Sequence, residues 1–327
     1  MAWIRSRCRP PPNSQLPTPN SKLAPFRTLM STAILYNHVA GRGKARATVA
    51  AVVDEARRHF RDVELLATEV PGDGVRLGRL AAEQGMERVI VVGGDGTVHE
   101  AANGILRTQR ATLPALTVVP EGTGNDFAKL VGTDRCGARE AVRRIARGQV
   151  AKFDVGEAWG EYFVNTLGVG LDAEVARHLC GVTYLRGTLA YGKALLAALR
   201  TYRDVELEVI VGTEQFTGRW LMVAVGIGAV EGGGFHLMPA ARPDDGLLDI
   251  CAIRPVPLLR LLALVPMVML GRHERFRECW VGRTDRITFR GTQPLAIHAD
   301  GELRAPGATE LVITLHAGLL SVIRAGR

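Results

Sequence analysis

Hydrophobic positions along the chain fall into two textures. In the first, short apolar runs end at glycine-rich or polar turns and give way to stretches of helical period. The run Thr32-Ala-Ile-Leu-Tyr36 stops at the turn 37–43, and a helical pattern follows from about Lys44 to Phe60. Val63–Thr68 reads as a strand and residues 74–85 as a second helix. Arg88–Val92 is a continuous β-branched run after its first residue, and it stops at Gly93-Gly94-Asp95-Gly96. Residues 97–107 return to a helical period, and Ala115–Val119 is strand-like again. Strands that alternate with helices predict an α/β unit around a mostly parallel sheet, because parallel neighbours need a crossover between them.

The second texture starts near residue 152. Short strand-like runs dominate: Tyr162–Leu167, Val205–Val211, Trp220–Ile227, Leu248–Arg254, Arg286–Phe289 and Leu295–His298. Glycine and proline turns separate them, which predicts a β-rich second domain. Helices are expected near Leu185–Tyr202 and Leu258–Leu270, and Glu310–Ile323 reads as a last strand. No internal repeat is visible.

Composition permits this division. The chain has 327 residues, 47% hydrophobic and 23% charged, so a sizeable core is expected and global disorder is excluded. A net charge of +8 invites a nucleic-acid reading. Its distribution argues otherwise. Residues 1–30 hold Arg5, Arg7, Arg9, Lys22 and Arg27 with no acid, which leaves 36 basic against 33 acidic residues elsewhere. Six of the 16 prolines lie in the same segment, which reads as a disordered basic tail with organelle targeting as the alternative. Basic residues are not interleaved with aromatics, so no nucleic-acid partner is expected. Five scattered cysteines without a C-x-x-C point to reduced thiols in a cytoplasmic protein. The longest apolar stretch, Leu261–Gly271, is far short of the ~20 residues a spanning helix needs. Segment 256–271, with Arg260 and Arg272 at its margins, has two readings: a core helix of the second domain, or a face lying at a membrane interface.

Three polar clusters carry candidate chemistry. Val89-Ile-Val-Val-Gly-Gly-Asp-Gly-Thr97 runs from a buried strand through three glycines into a helix. Glycines let a backbone approach a ligand closely, and the free N–H groups of a turn and helix start favour phosphate. Asp95 in such a loop suits Mg²⁺ or a ribose hydroxyl. Val118-Val-Pro-Glu-Gly-Thr-Gly-Asn-Asp-Phe127 repeats that logic, with Asp126 also readable as a plain helix cap. In His298-Ala-Asp-Gly-Glu302, two carboxylates flank a glycine, which suits a general base and its support or a bare Asp-Gly turn.

Gly93-Gly-Asp-Gly-Thr97, Pro120-Glu-Gly-Thr-Gly-Asn-Asp-Phe127 and Asp300-Gly-Glu302, in this order, resemble the diacylglycerol kinase catalytic family, which includes bacterial lipid kinases and sphingosine kinases. The resemblance spans roughly residues 32–325. It implies a Rossmann-like, NAD kinase-like three-layer α/β domain, a β-sandwich second domain, and a C-terminal strand returning to the first. The implied limits are 31–151, completed by 308–327, for the nucleotide-binding domain, and 152–307 for the lipid-substrate domain. ATP and Mg²⁺ are the implied cofactors. Asn37-His38-Val39-Ala40-Gly41 resembles the family's first nucleotide loop, although His38 stands where proline is usual. Thr68, Gly93, Gly94, Asp95, Gly96, Thr97, Val98, His99, Thr123, Asn125, Asp126 and Asp154 match further nucleotide-site positions. The stretch through Asp245-Gly-Leu-Leu-Asp249 resembles a structural Mg²⁺ segment, which implies the Asp245 carboxylate and main-chain oxygens near Arg242 and Leu247 as ligands. Asp300 and Glu302 are the implied catalytic pair, one as base and one as its support, with the order open.

The reaction this implies is ATP-dependent phosphorylation of the hydroxyl of a diacylglycerol-like lipid, met at a membrane surface. A soluble kinase of the NAD-kinase type and a non-catalytic lipid-binding regulator are the alternatives. Homodimerisation is left open. Two other motifs are set aside. Gly168-Val-Gly-Leu-Asp-Ala173 fits a dinucleotide fingerprint but lacks an acid from 185 to 203, and Gly187–Lys193 mimics a P-loop with Ala194 where a hydroxyl is needed. The eight histidines show no metal-ligand spacing.

Overall fold

A computed structural model describes residues 31–37, 44–179, 187–201, 204–304 and 307–326. The expectations for the tail 1–30 and for His38, Val39, Ala40 and Gly41 lie outside the described residues. The first half alternates: β1 Ser31–Asn37, α1 Lys44–Ala56, β2 Arg61–Thr68, α2 Asp73–Glu83, β3 Arg88–Gly93, α3 Asp95–Leu106 and β4 Ala115–Pro120, then α4 Asp126–Val131 and α5 Ala138–Arg147. Strands β2, β1, β3 and β4 lie side by side in that order and all run parallel. Alternate residues of β1 serve opposite faces, as strand geometry requires. Ala33 and Leu35 join a core with Leu77 of α2, Val98 of α3 and Phe127 of α4. Ile34 joins a second core with Val52 of α1 and Val142 of α5.

The second half comprises β5 Gln149–Ala158, β6 Glu161–Phe163, β7 Thr166–Gly170, α6 Leu171–Leu179, α7 Gly187–Thr201, β8 Val205–Val211, β9 Glu214–Trp220, β10 Met222–Gly226, β11 Leu248–Ile253, α8 Leu258–Met269, β12 Cys279–Thr284, β13 Arg286–Gly291, β14 Ile297–Ala299, β15 Glu302–Arg304 and β16 Glu310–Arg324. Strands β12-β11-β10-β7-β14-β15 form an antiparallel sheet. One face of it packs through Leu167, Val225 and Ile250 onto Val209, Phe289 and Ile313 of the other sheet, which makes the sandwich. Its other face is covered by Leu171 and Val175 of α6, Ala194 of α7, and Leu261 and Leu264 of α8.

The chain end ties the halves together. Strand β16 pairs antiparallel with β13 along its first part and with β5 along its length, and Val322 meets Leu116 of β4 in parallel register. The parallel sheet and half of the sandwich are therefore one continuous sheet of ten strands. The run read as one strand, Trp220–Ile227, is two, because β9 ends at Trp220 and β10 begins at Met222. Helix α6 was not anticipated; it occupies the second half of the Gly168–Ala173 motif.

Helices α2 and α3 touch backbone to backbone. A side-chain carbon added at Gly104 would overlap the Val75 carbonyl oxygen and lie 2.8 Å from the Arg79 nitrogen. Gly104→Ala should therefore destabilise the fold by about 1–3 kcal/mol, as overpacking does. Chemical denaturation should show a lower midpoint with an unchanged slope; an unchanged midpoint would mean that the helices separate freely.

Candidate active site at the C-terminal ends of the parallel strands

Strands β1, β2, β3 and β4 end together at Asn37, Thr68, Gly93 and Pro120, with Asn37 level with Thr68 and Gly93 level with Pro120. Ligands of open α/β sheets bind in the crevice at such carboxyl ends. The two glycine loops meet here by backbone. A side-chain carbon at Gly94 would lie 3.0 Å from Gly122 Cα, and one at Gly124 would lie 3.0 Å from Asp95 Oδ2. Asn125 holds the second loop in shape from left-handed backbone (φ 53°). Its Oδ1 accepts Gly122 N–H at 2.9 Å and its Nδ2 donates to Gly122 O at 3.0 Å.

Asp95 opens α3 and accepts the Phe127 N–H at 3.1 Å. Burial, with the charge of Asp126 added, raises its carboxyl to about 7. Asp126 is raised as well, by burial, even though Lys129 Nζ stands 2.6 Å away. A half-buried and a buried carboxyl, both pushed upward side by side, are a donor set that a divalent cation would discharge, so these residues fit Mg²⁺. Thr97 and Thr68 are buried nearby, and Thr123 is exposed on the loop. Val98 is different: its side chain lies in the core and its N–H donates to Gly94 O, so neither is presented to a ligand.

His99 is also turned away from the glycine loops. Its Nδ1 donates to Asp300 Oδ2 and its Nε2 to Glu161 Oε1, both at 2.8 Å. Glu161 is gripped in turn by Arg304, whose Nε and Nη2 stand 3.0 and 2.8 Å from its oxygens. Burial alone would lower the His99 pKa, but hydrogen bonds to Asp300 and Glu161 outweigh it and hold the ring at about 9. Burial likewise opposes ionisation of Glu161, yet His99 and Arg304 keep its carboxyl far below the usual range.

Asp300 accepts the N–H groups of Val164, Asn165 and Thr166 at 3.0, 2.8 and 3.1 Å besides the His99 contact. Glu302 is exposed at the start of β15. It reaches over the first turn of α3, where a side-chain carbon on Gly96 would meet Glu302 Oε1 at 2.5 Å. The strand-to-turn segment at 300–302 from the second half thus lands against the glycine loop of the first.

Asp154 is not placed with the glycine loops. Its carboxylate accepts Gly246 N–H and Gly318 N–H, both at 2.8 Å, which joins it to the segment expected to hold a structural Mg²⁺. In that segment Asp245 Oδ1 accepts Leu247 N–H, and Asp245 Oδ2 lies 2.6 Å from Arg283 Nη2. Arg283 also grips Asp249, and Arg242 is exposed. A guanidinium already neutralises the one carboxylate assigned to the metal, so Arg242, Asp245 and Leu247 as arranged do not fit a divalent ion.

Sequence comparison agrees with this geometry. Residues 31–158 match the family model of the diacylglycerol kinase catalytic domain, and 165–324 match that of the YegS C-terminal NAD kinase beta sandwich-like domain. A probable lipid kinase YegS-like of Chromohalobacter salexigens is 32% identical over 67% of this chain and 71% of its own. The chain belongs to the diacylglycerol kinase-type family of lipid kinases. A diacylglycerol kinase of Bacillus subtilis (strain 168) is 26% identical over 82% of this chain and 88% of its own. The crystal structure of a diacylglycerol kinase from Bacillus anthracis str. Sterne superposes with a TM-score of 0.69 at 21% identity, covering 91% of this chain and 97% of that one, and so agrees in fold.

Glu161 and Arg304 were not anticipated as members of this lipid kinase's site. Arg304 lies two residues beyond Glu302 on the same face of a strand, the one local signal; Glu161 has none. The His99 network makes stability depend on pH. A ring whose pKa is raised on folding stabilises fully below the unfolded value of 6.5, and that contribution is lost as pH rises through about 9. Denaturation midpoints should therefore fall between pH 6.5 and 9, and His99→Asn should flatten the slope. His298 is raised to about 9 as well and leaves a residual slope of the same sign. An equal slope in His99→Asn would remove His99 from the account.

Proposed function

We propose that this lipid kinase uses ATP with Mg²⁺ to phosphorylate the hydroxyl of a diacylglycerol-like lipid, with Glu302 as general base and Asp300 as its positioning partner. The observation that carries this reading is the unequal use of the two carboxylates. Asp300 spends its oxygens on three backbone N–H groups and His99, so it fixes the turn. Glu302 remains exposed beside the glycine loop. A base needs a reachable oxygen near the proton it takes. Bound at Asp95 and Asp126, Mg²⁺ would neutralise phosphate charge. The backbone of 93–97 and 122–125 would orient the phosphates, Glu302 would accept the proton of the attacking hydroxyl, and closure of the 300–302 turn on α3 would keep water away.

A lipid acceptor is supported by an apolar cavity of about 50 Å³ between the second sheet and α6, α7 and α8, lined by Val175, Leu195, Phe235, Leu261 and Leu264, with Asp172 at its wall. The outer side of α8 leaves Leu258, Leu259 and Leu262 exposed, Leu259 by 82%. The inner side of the helix is core, and its exposed leucines support the membrane-interface reading of segment 256–271. None of the described helices is long and apolar enough to cross a membrane. The exposed leucines of α8 are the face we assign to lipid contact.

Glu302→Gln should lower turnover of diacylglycerol by about 10²–10⁴-fold with an unchanged melting temperature. Asp300→Asn should lower both turnover and melting temperature. Near-normal turnover in Glu302→Gln would end the base assignment, and phosphorylation of NAD in a lipid-free assay would favour the soluble-kinase alternative. In liposome flotation, Leu258→Ser combined with Leu259→Ser should reduce recovery with vesicles while activity on detergent-dispersed lipid persists. Equal flotation of the double variant would make α8 a packing helix only.

A further inference from the structure

The Gly168–Ala173 motif, set aside as a dinucleotide fingerprint, leads to a second buried cluster. Gly168 of β7 pairs with His298 of β14 on one side and Ala224 of β10 on the other. A side-chain carbon at Gly168 would overlap Asp172 Oδ2 and His298 Nε2, so the missing side chain makes room for these two atoms. His298 Nε2 lies 2.7 Å from Asp172 Oδ2 and 3.2 Å from Glu231 Oε1. The ligand atoms of Asp172, Glu231 and His298 all fall within 4.8 Å of one another, and all three residues are buried. They come from α6, from the turn before Phe235, and from β14, so no sequence spacing unites them.

The surroundings lack partners. Glu231 Oε2, Thr166 Oγ1 and Asn165 Oδ1 are buried without a hydrogen bond. Thr166 is fully buried and shares the face of β7 with Gly168, two residues away, so its hydroxyl belongs to the side of the sheet that carries the cluster. Orphaned buried oxygens of this kind call for an ion or a water. An imidazole nitrogen and two carboxylate oxygens are borderline donors that suit Zn²⁺. Bonds of about 2.0–2.1 Å in a tetrahedron set donors about 3.3 Å apart and leave a fourth position for water; here the His298–Glu231 spacing of 3.2 Å agrees and the His298–Asp172 spacing of 2.7 Å would widen on binding. Asp172 also borders the apolar cavity.

We propose that Asp172, Glu231 and His298 form a binding site for a divalent first-row metal ion, with Zn²⁺ the best match. The site shares no ligand with Asp95 and Asp126, although Asp126 accepts the N–H of Gly233, two residues from Glu231, and it does not depend on the kinase reading. The competing state is a proton-filled cluster: burial and the charge of Asp172 push the Glu231 carboxyl well up, so without an ion it retains a proton. An entering ion would displace that proton and the Nε2 proton of His298, whose ring is held at about 9, and would take the carboxylate oxygen and the ring nitrogen as ligands, with both protons leaving to solvent.

The full-length protein, stripped with chelator, loaded with Zn²⁺ and desalted, should retain about one ion per chain by elemental analysis. Zn²⁺ should raise its melting temperature by several degrees, reversibly with chelator. Loss of a ligand should weaken retention at least ~100-fold, beyond the 10–100-fold typical of outer-shell changes. Glu231→Gln and His298→Gln, checked for folding by circular dichroism, should lose the ion, whereas Asp95→Asn should keep it. Co²⁺ should show tetrahedral visible bands in the wild type and not in His298→Gln. A folded wild type that retains no ion and melts unchanged would overturn the proposal and leave protons alone in the cluster. Retention undiminished in both Glu231→Gln and His298→Gln would place the ion elsewhere and overturn it equally.

Discussion

One carboxylate governs how the two halves of this protein meet. Asp300 stands in left-handed backbone (φ 51°) at the end of β14, in a turn completed by Gly301 at φ 83°. From there it collects three successive N–H groups at the start of β7 and the His99 imidazole from α3. Charge-assisted bonds in a dry setting are strong and leave little tolerance for displacement. The contact therefore sets sheet against helix, and through α3 it sets the sandwich against the glycine loops. Asn103 adds a second stitch one turn along α3, donating to Tyr162 O and accepting Tyr162 N–H. Asp300 is thereby wholly occupied, whereas its neighbour Glu302 stays exposed.

The rest of the site follows from close backbone approach. At Gly94 and Gly122 the two loops leave no room for side chains, so the surface facing the crevice is built from peptide groups. Such a surface presents N–H donors at fixed positions and needs no cationic side chain to receive phosphate. This explains why a balanced charge outside the first thirty residues is compatible with a nucleotide partner. Charge is managed locally instead. Arg304 answers Glu161, and Arg283 answers Asp245 and Asp249.

Legibility in the sequence tracked burial. Strands β1, β3, β4 and β11 are buried along most of their length on both faces and appear as mainly apolar runs. Strands β9 and β12 are half-exposed, with residues such as Glu214 and Arg283 at their outward positions, and they left little periodic signal. Helix α6 was masked because its first residues complete a glycine motif that suggested a different chemistry. His99 was assigned to the nucleotide by its place in the Gly-Asp-Gly-Thr stretch. One helical turn carries its ring away from the loop and onto Asp300, which chain position alone does not reveal.

The sequence by itself determined the α/β beginning, the β-rich continuation, the two glycine loops and the acidic turn at 300–302, and from these the lipid kinase family. Those features are local, set by strand burial, glycine conformation and short spacings within a few residues of chain. Only the tertiary structure decided which carboxylate is spent and which is available, that Asp154 belongs with the Asp245 segment, and that Glu161, His99 and Arg304 form one chain of charges. It alone brought Asp172, Glu231 and His298 together from three distant segments. Pairing across sheets and between domains depends on register and on the desolvation of each group, and neither quantity is written in the order of the residues.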